Sequence, residues 1–207
     1  HPIDHRYYIR YPEAPIPKDL LQRARNFTDT AVIVIHRHST EGTDHHDGSA
    51  FYLYPEEQAM VNTVTANFPK VVVLLNVGAM IDTSWFANND AISAAVLLWQ
   101  GGMEGGLAAV DILTGDANPS GKLVDTCART FEDYPSSADF HESEAYAKYT
   151  EDIYVGYRYF ETVPGKKECV VYPFGYGLSY TTFALESVSA GVVGANIVVS
   201  VKVTNTG

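Results

Sequence analysis

Arg37-His38-Ser39-Thr40-Glu41-Gly42-Thr43-Asp44-His45-His46-Asp47 is the densest gathering of reactive side chains in the chain. Carboxylates, imidazoles and a guanidinium lie within one short stretch. Three readings fit those residue types. A carboxylate such as Glu41, held by polar neighbours, can pass a proton to and from a reacting oxygen. A cation could be gathered by His36, His38, Asp44, His45 and His46, although no cysteine and no helical histidine spacing completes a closed zinc site. The third reading is a solvated polar loop that does no chemistry. Residue types alone leave all three open.

The flanking segments say where such a loop would sit. Ala31-Val32-Ile33-Val34-Ile35 immediately precedes it and reads as a strand buried on both faces. Pro55, Glu56 and Glu57 then open a helix, since proline suits the first helical position and acids suit the positive end of its dipole. Val61, Val64 and Phe68 give that helix one apolar face. Val71-Val72-Val73-Leu74-Leu75 is a second buried strand, and residues 94–99 are a third. A short helix is expected over 18–26, and another over 105–113 capped by Gly115. Strand, loop and helix in alternation imply an α/β fold with a mostly parallel sheet flanked by helices. Sites in such sheets lie beyond the carboxyl ends of the strands. The loop after Ile35 is at such an end, and so are Asp82 and Trp85. The tail changes period: over 193–204, Ile197, Val199, Val201 and Val203 alternate with Val198, Ser200, Lys202 and Thr204, as in an antiparallel strand.

Composition narrows the class. The chain has 207 residues and a formal net charge of −11, with a sequence pI of about 4.9. That balance argues against nucleic-acid binding and against an anionic membrane surface, and suits a neutral ligand such as a sugar. No apolar run approaches the roughly 20 residues of a membrane span. The opening His1-Pro2-Ile3-Asp4-His5-Arg6 has no signal-peptide character, so a cytoplasmic location is the expectation. Cys127 and Cys169 allow at most one disulfide. Glu104, between Gly102 and Gly105, reads as a turn into a helix, because no phosphate-loop spacing accompanies it. Tyr157, Arg158, Tyr159 and Trp99 read as apolar packing around a buried arginine in preference to a sugar-lining set.

Ser39-Thr40-Glu41-Gly42-Thr43-Asp44 resembles the S-G-E-G-x-D-R loop of bacterial family 3 glycoside hydrolases of the β-glucosidase type. Further stretches resemble the same family in the same order. They are Leu53-Tyr54-Pro55-Glu56-Glu57-Gln58, the run VVVLLNVGAMI from Val71 to Ile81, and Gly115-Asp116-Ala117-Asn118-Pro119-Ser120-Gly121-Lys122-Leu123. Tyr154-Val155-Gly156-Tyr157-Arg158-Tyr159-Phe160 and Pro173-Phe174-Gly175-Tyr176-Gly177-Leu178-Ser179-Tyr180 complete the set. Thr40 and His45 depart from the pattern, standing where the family has glycine and arginine.

The resemblance implies an α/β-sandwich domain over 1–183, lacking its N-terminal part, followed over 184–207 by the start of a fibronectin type III-like β-sandwich, with nothing after its strand to pair with. It implies that Glu41 is the general acid/base of a retaining, exo-acting glycosidase, with Arg37, Asp44 and His45 at the substrate and Arg37 also suited to positioning the loop. No cofactor is implied. The family's aspartate nucleophile belongs to a (β/α)8 barrel, and no segment here resembles it, so the chain alone is expected to be inactive. The expected partners are a β-linked glucoside or related sugar and that barrel domain. Exposed apolar surface and an unpaired strand edge would also favour a homo-oligomer. A non-catalytic carbohydrate-binding or scaffolding domain is the alternative, in which Glu41 would be dispensable.

Overall fold

A computed structural model of the chain describes residues 11–37, 50–139, 143 and 145–207. β1 (Thr30–Arg37), β2 (Lys70–Val77) and β3 (Ala94–Leu97) form a parallel sheet in that order. Their β-branched residues are stiff at χ1 and pack well on a pleated surface. Ile33 lies beside Val73 and Ile35 beside Leu75 in register. α1 (Lys18–Phe27) leads into β1, α2 (Pro55–Thr65) is the crossover to β2, and the short α3 (Ser84–Ala87) lies between β2 and β3. The core joins Ile33, Ile35, Val71, Val73, Leu75 and Val77 to Val61, Val64 and Phe68, with Leu21 and Ala24 of α1 packed against it. Each such side chain stabilises the fold by about 1.5–3 kcal/mol when fully buried.

β1 is not buried on both faces. Ile33 and Ile35 are 3% and 1% exposed, whereas Val32 and Val34 between them are 49% and 54% exposed. The helices cover the odd-numbered face, so alternation along the strand turns the other set toward solvent. β3 is shorter than expected, ending at Leu97, and Trp99 adopts a φ of 53° that takes it out of the strand.

Glu104 stands at the N-cap of α4 (Gly105–Thr114) and makes no side-chain cap bond there, and Gly115 closes that helix at a φ of 85°. β4 (Cys127–Ala128) and β5 (Val170–Tyr172) pair antiparallel. The segment between them is anchored by Tyr134, whose hydroxyl donates to the Thr126 carbonyl and accepts from the Ala128 N–H, both at 3.0 Å. Its ring meets Phe51 on one side and Phe160 of α5 (Tyr157–Thr162) on the other. Cys127 and Cys169 are both free thiols. Cys127 lies opposite Tyr172, while the Cys169 carbonyl takes the Arg129 N–H.

The terminal strand does find a partner, but before it in the chain. β6 (Phe183–Val193) and β7 (Asn196–Asn205) form a hairpin through Gly194 and Ala195. Gly194 has a φ of 63° as first central residue, matching the right-handed twist of the strands. Among the described residues, no helix is long and apolar enough to cross a membrane.

Candidate active site

β1 delivers the chain to the carboxyl edge of the sheet at Arg37, and the described chain resumes at Ala50. Arg37 is 5% exposed. Its Nε donates to the Ala50 carbonyl at 2.9 Å and Nη2 to the Tyr52 carbonyl at 3.0 Å. Nη1 donates to the carbonyl of His36 at 2.8 Å. The two terminal nitrogens also meet Glu57, Nη1 to Oε1 and Nη2 to Oε2, each at 2.7 Å. The Tyr54 ring lies 4.6 Å from the guanidinium carbon. Glu57 Oε2 additionally accepts the Tyr54 N–H at 2.9 Å, which fastens the start of α2 to the same ion pair. A guanidinium has five N–H bonds, and this one directs all five at acceptors within the chain.

The returning residues are fastened on their other side as well. Phe51 is buried, and its carbonyl accepts the Asp82 N–H at 2.8 Å. The Tyr52 hydroxyl accepts the Phe131 N–H at 3.1 Å and donates to Glu132 at 3.3 Å. Partial burial, assisted by the Glu132 and Asp82 charges, holds that phenol above its ordinary pKa, against the Phe131 N–H, so it is a neutral donor at physiological pH. The residues that return after β1 therefore meet both the loop after β2 and segment 131–133.

Glu41, Asp44 and His45, the expected catalytic and substrate residues, lie outside the described residues. So do His38 and His46 of the metal reading; His36 is exposed at the end of β1. Arg37 directs every donor it has at His36, Ala50, Tyr52 and Glu57. Asp82 is turned inward to its own turn, accepting from the Ser84 N–H at 2.8 Å and the Ser84 hydroxyl at 2.5 Å. Trp85 packs edge-on against Phe86. Arg158 is exposed instead of buried and reaches the Ile153 carbonyl at 3.4 Å. Tyr157 stacks on Phe174 at 4.6 Å between centroids. These two rings, with Val124, Asp125, Val155, Gly156 and Arg158, line an open depression of about 260 Å³. Burial raises the Asp125 carboxyl above its usual range there.

Glu57, Tyr54 and Tyr52 carry no role in the sequence reading beyond helix initiation. One signal for Glu57 was present: an acid at the third position of a helix can reach back to the N-cap N–H. Nothing local points to its second partner, twenty residues upstream.

Residues 17–180 match the family model described as glycosyl hydrolase family 3 C-terminal domain. Among curated relatives, the chain is similar to Beta-glucosidase A of Butyrivibrio fibrisolvens, 51% identical over 201 residues and covering 86% of this chain and 24% of that protein. A Beta-glucosidase of Ruminococcus albus is 41% identical over 196 residues, covering 94% and 20%. Among solved structures, a beta-glucosidase from Paenibacillus barengoltzii superposes with a TM-score of 0.85 at 44% identity, covering 94% of this chain and 22% of that one. Beta-glucosidase 3B from Thermotoga neapolitana, in complex with glucose, gives 0.84 at 37% identity, covering 96% and 28%. The chain thus spans between a fifth and three-tenths of the length of these proteins.

Proposed function

The chain belongs to glycosyl hydrolase family 3, and on that premise we propose that it supplies the general acid/base, Glu41, of a retaining β-glucosidase. The observation that carries the reading is a coincidence of two positions. In sequence Glu41 follows by four residues Arg37, which ends β1 at the carboxyl edge where parallel sheets hold their sites. The same loop wording marks the acid/base in the family that the chain resembles.

In this reading Glu41 protonates the glycosidic oxygen while an aspartate on a separate barrel domain attacks the anomeric carbon. Glu41 then takes a proton from the water that releases the sugar. The two carboxyl groups must approach to about 5–5.5 Å, which only the complete enzyme achieves. An ionised aspartate that close disfavours the charged form of a neighbouring carboxyl group, which suits Glu41 to giving up a proton first. The isolated chain lacks the nucleophile in this account and does not hydrolyse glucosides. The substrate is a β-linked glucoside.

A chimera tests the reading. Residues 1–207 replace the matching quarter of the Butyrivibrio Beta-glucosidase A, and hydrolysis of methyl β-glucoside, whose alkoxide leaves only when protonated, is followed. The expected result is an active chimera, an inactive isolated chain, and a drop of about 10²–10⁴-fold on Glu41→Gln in the chimera. A chimera indifferent to Glu41→Gln would remove Glu41 from the mechanism. Brisk hydrolysis by the isolated chain, lost on Glu41→Gln, would overturn the need for a second domain.

A further inference from the structure

We propose that Arg37 and Glu57 form one positioning unit for the acid/base, an inference that rests on the role assigned to Glu41 above. The three carbonyls that Arg37 binds stand on both sides of residues 38–49: His36 before them, Ala50 and Tyr52 after. One planar group thereby fixes the distance and angle between the point where the chain leaves the sheet and the point where it returns. Residues 38–49 must span between those two points whatever path they take.

Glu57 makes this possible. A guanidinium can turn about its side-chain bonds, and three carbonyls alone would leave one charge buried without a counter-ion. The carboxylate meets both terminal nitrogens end-on at 2.7 Å, which sets the plane of the group and satisfies the remaining two N–H bonds. Because Glu57 also holds the Tyr54 N–H, that plane is tied to the first turn of α2. The core side of α2 packs Val61 and Val64 against the sheet. The register of a rigid helix is therefore transmitted through two side chains to the feet of the catalytic segment. Neither residue touches substrate. A lysine at position 37 has a point charge in place of the fork and cannot reach four groups at fixed angles.

A positioning role has a signature that general damage to the fold lacks. Misplacing a general acid by about 1 Å can cost on the order of 10²-fold, but only for substrates that need a proton on the departing oxygen. In the chimera, Glu57→Gln and Arg37→Lys are assayed on methyl β-glucoside, whose alkoxide cannot leave unprotonated, and on 2,4-dinitrophenyl β-glucoside, whose phenolate can. The expected result is a fall of about 10²-fold in kcat/KM on the methyl glucoside. On the dinitrophenyl glucoside, kcat/KM changes less than about threefold. Adding Glu41→Gln to Glu57→Gln should cost little more than Glu41→Gln alone, because both act through one group. Equal losses on both substrates, no loss on either, or full additivity with Glu41→Gln would each overturn the proposal. Should Glu57→Gln leave the chimera unfolded by circular dichroism, Glu57→Asp is assayed in its place; it keeps the charge and shortens the arm by one methylene. Glu41→Gln on its own separates the two readings: if it too shows no dependence on the leaving group, the acid/base role fails and the positioning unit falls with it.

Discussion

Glu57 meets Arg37 across twenty residues of sequence, each carboxylate oxygen 2.7 Å from one terminal nitrogen, with side chains only 12% and 5% exposed. Burial that deep makes the pair a matter of stability as well as of geometry. Breaking a buried ion pair from one side leaves an uncompensated charge and costs about 3–5 kcal/mol. Glu57→Leu should therefore lower the urea midpoint of unfolding by that equivalent, read from the fluorescence of Trp85 and Trp99. Arg37→Met should cost a similar amount for a different reason, since the His36, Ala50 and Tyr52 carbonyls lose their donor. The double variant should not recover stability, because the Ala50 and Tyr52 carbonyls still lack the donor that Arg37 supplied. A double variant as stable as the parent would contradict this account.

β1 offers a sharper test, because neighbouring residues of like character meet opposite surroundings. Ile35 is 1% exposed within the core and Val34 is 54% exposed. Ile35→Ala should cost about 2–5 kcal/mol through lost burial and a residual cavity. Val34→Ala should cost under about 1 kcal/mol, mostly strand propensity. Comparable losses at both positions, measured by the same urea titration, would mean that the even-numbered face is covered in solution.

That contrast also marks how far the sequence could be read. The runs in β1 and β2 announced a parallel sheet, since β-branched residues flanked by helical patterns have few other uses. Residues 39–44 resemble the family's loop by wording alone. An apolar run does not reveal that only one of its faces will be covered, so Val32 and Val34 were misread. β6 escaped notice because Ser187, Ser189, Ala190 and Gly191 interrupt any alternation, and the ladder itself breaks between Glu186 and Ser189. Arg37 stands out in the sequence beside the polar loop, but its partner Glu57 does not. Pairing over that distance depends on how α2 returns to the sheet, which no local pattern encodes.

Gly177 is where backbones approach too closely for any side chain. A Cβ there would lie 2.6 Å from the Gly121 carbonyl oxygen. The surrounding ladder is tight, with Leu123 N–H on the Tyr176 carbonyl and Gly175 N–H on the Leu123 carbonyl, both at 2.8 Å. Gly177→Ala must push two backbones apart and should lose about 1–3 kcal/mol. Gly191→Ala in β6 serves as the control, since nothing lies within 4 Å of its Cβ position. It should be neutral or slightly stabilising through the unfolded chain. Equal thermal midpoints for the two variants would refute the close-approach argument.

The two thiols should resist alkylation for separate reasons. Burial pushes Cys127 up to about 12, the nearby Thr83 opposing it only in part. Cys169 is raised first by its hydrogen bond to Asp133, whose charge disfavours the thiolate, and then by burial. Only the thiolate attacks iodoacetamide, so both sites should react slowly at pH 8 in the folded chain and quickly in urea. Asp133→Asn removes the charge and should speed alkylation of Cys169 several-fold while leaving Cys127 unchanged, as read by peptide mass spectrometry. The same pair has an acid signature. Burial alone would raise the Asp133 carboxyl, but its bonds from Cys169 and Thr130 outweigh that and hold it below the usual carboxylate range. A carboxyl lowered on folding contributes stability above its unfolded value near 3.9, and loses it as pH falls through the folded value. The stability difference between parent and Asp133→Asn should therefore be full at pH 6 and shrink below about pH 4. A difference constant down to pH 2, or a Cys169 rate indifferent to Asp133→Asn, would show that the thiol and the carboxylate are not coupled.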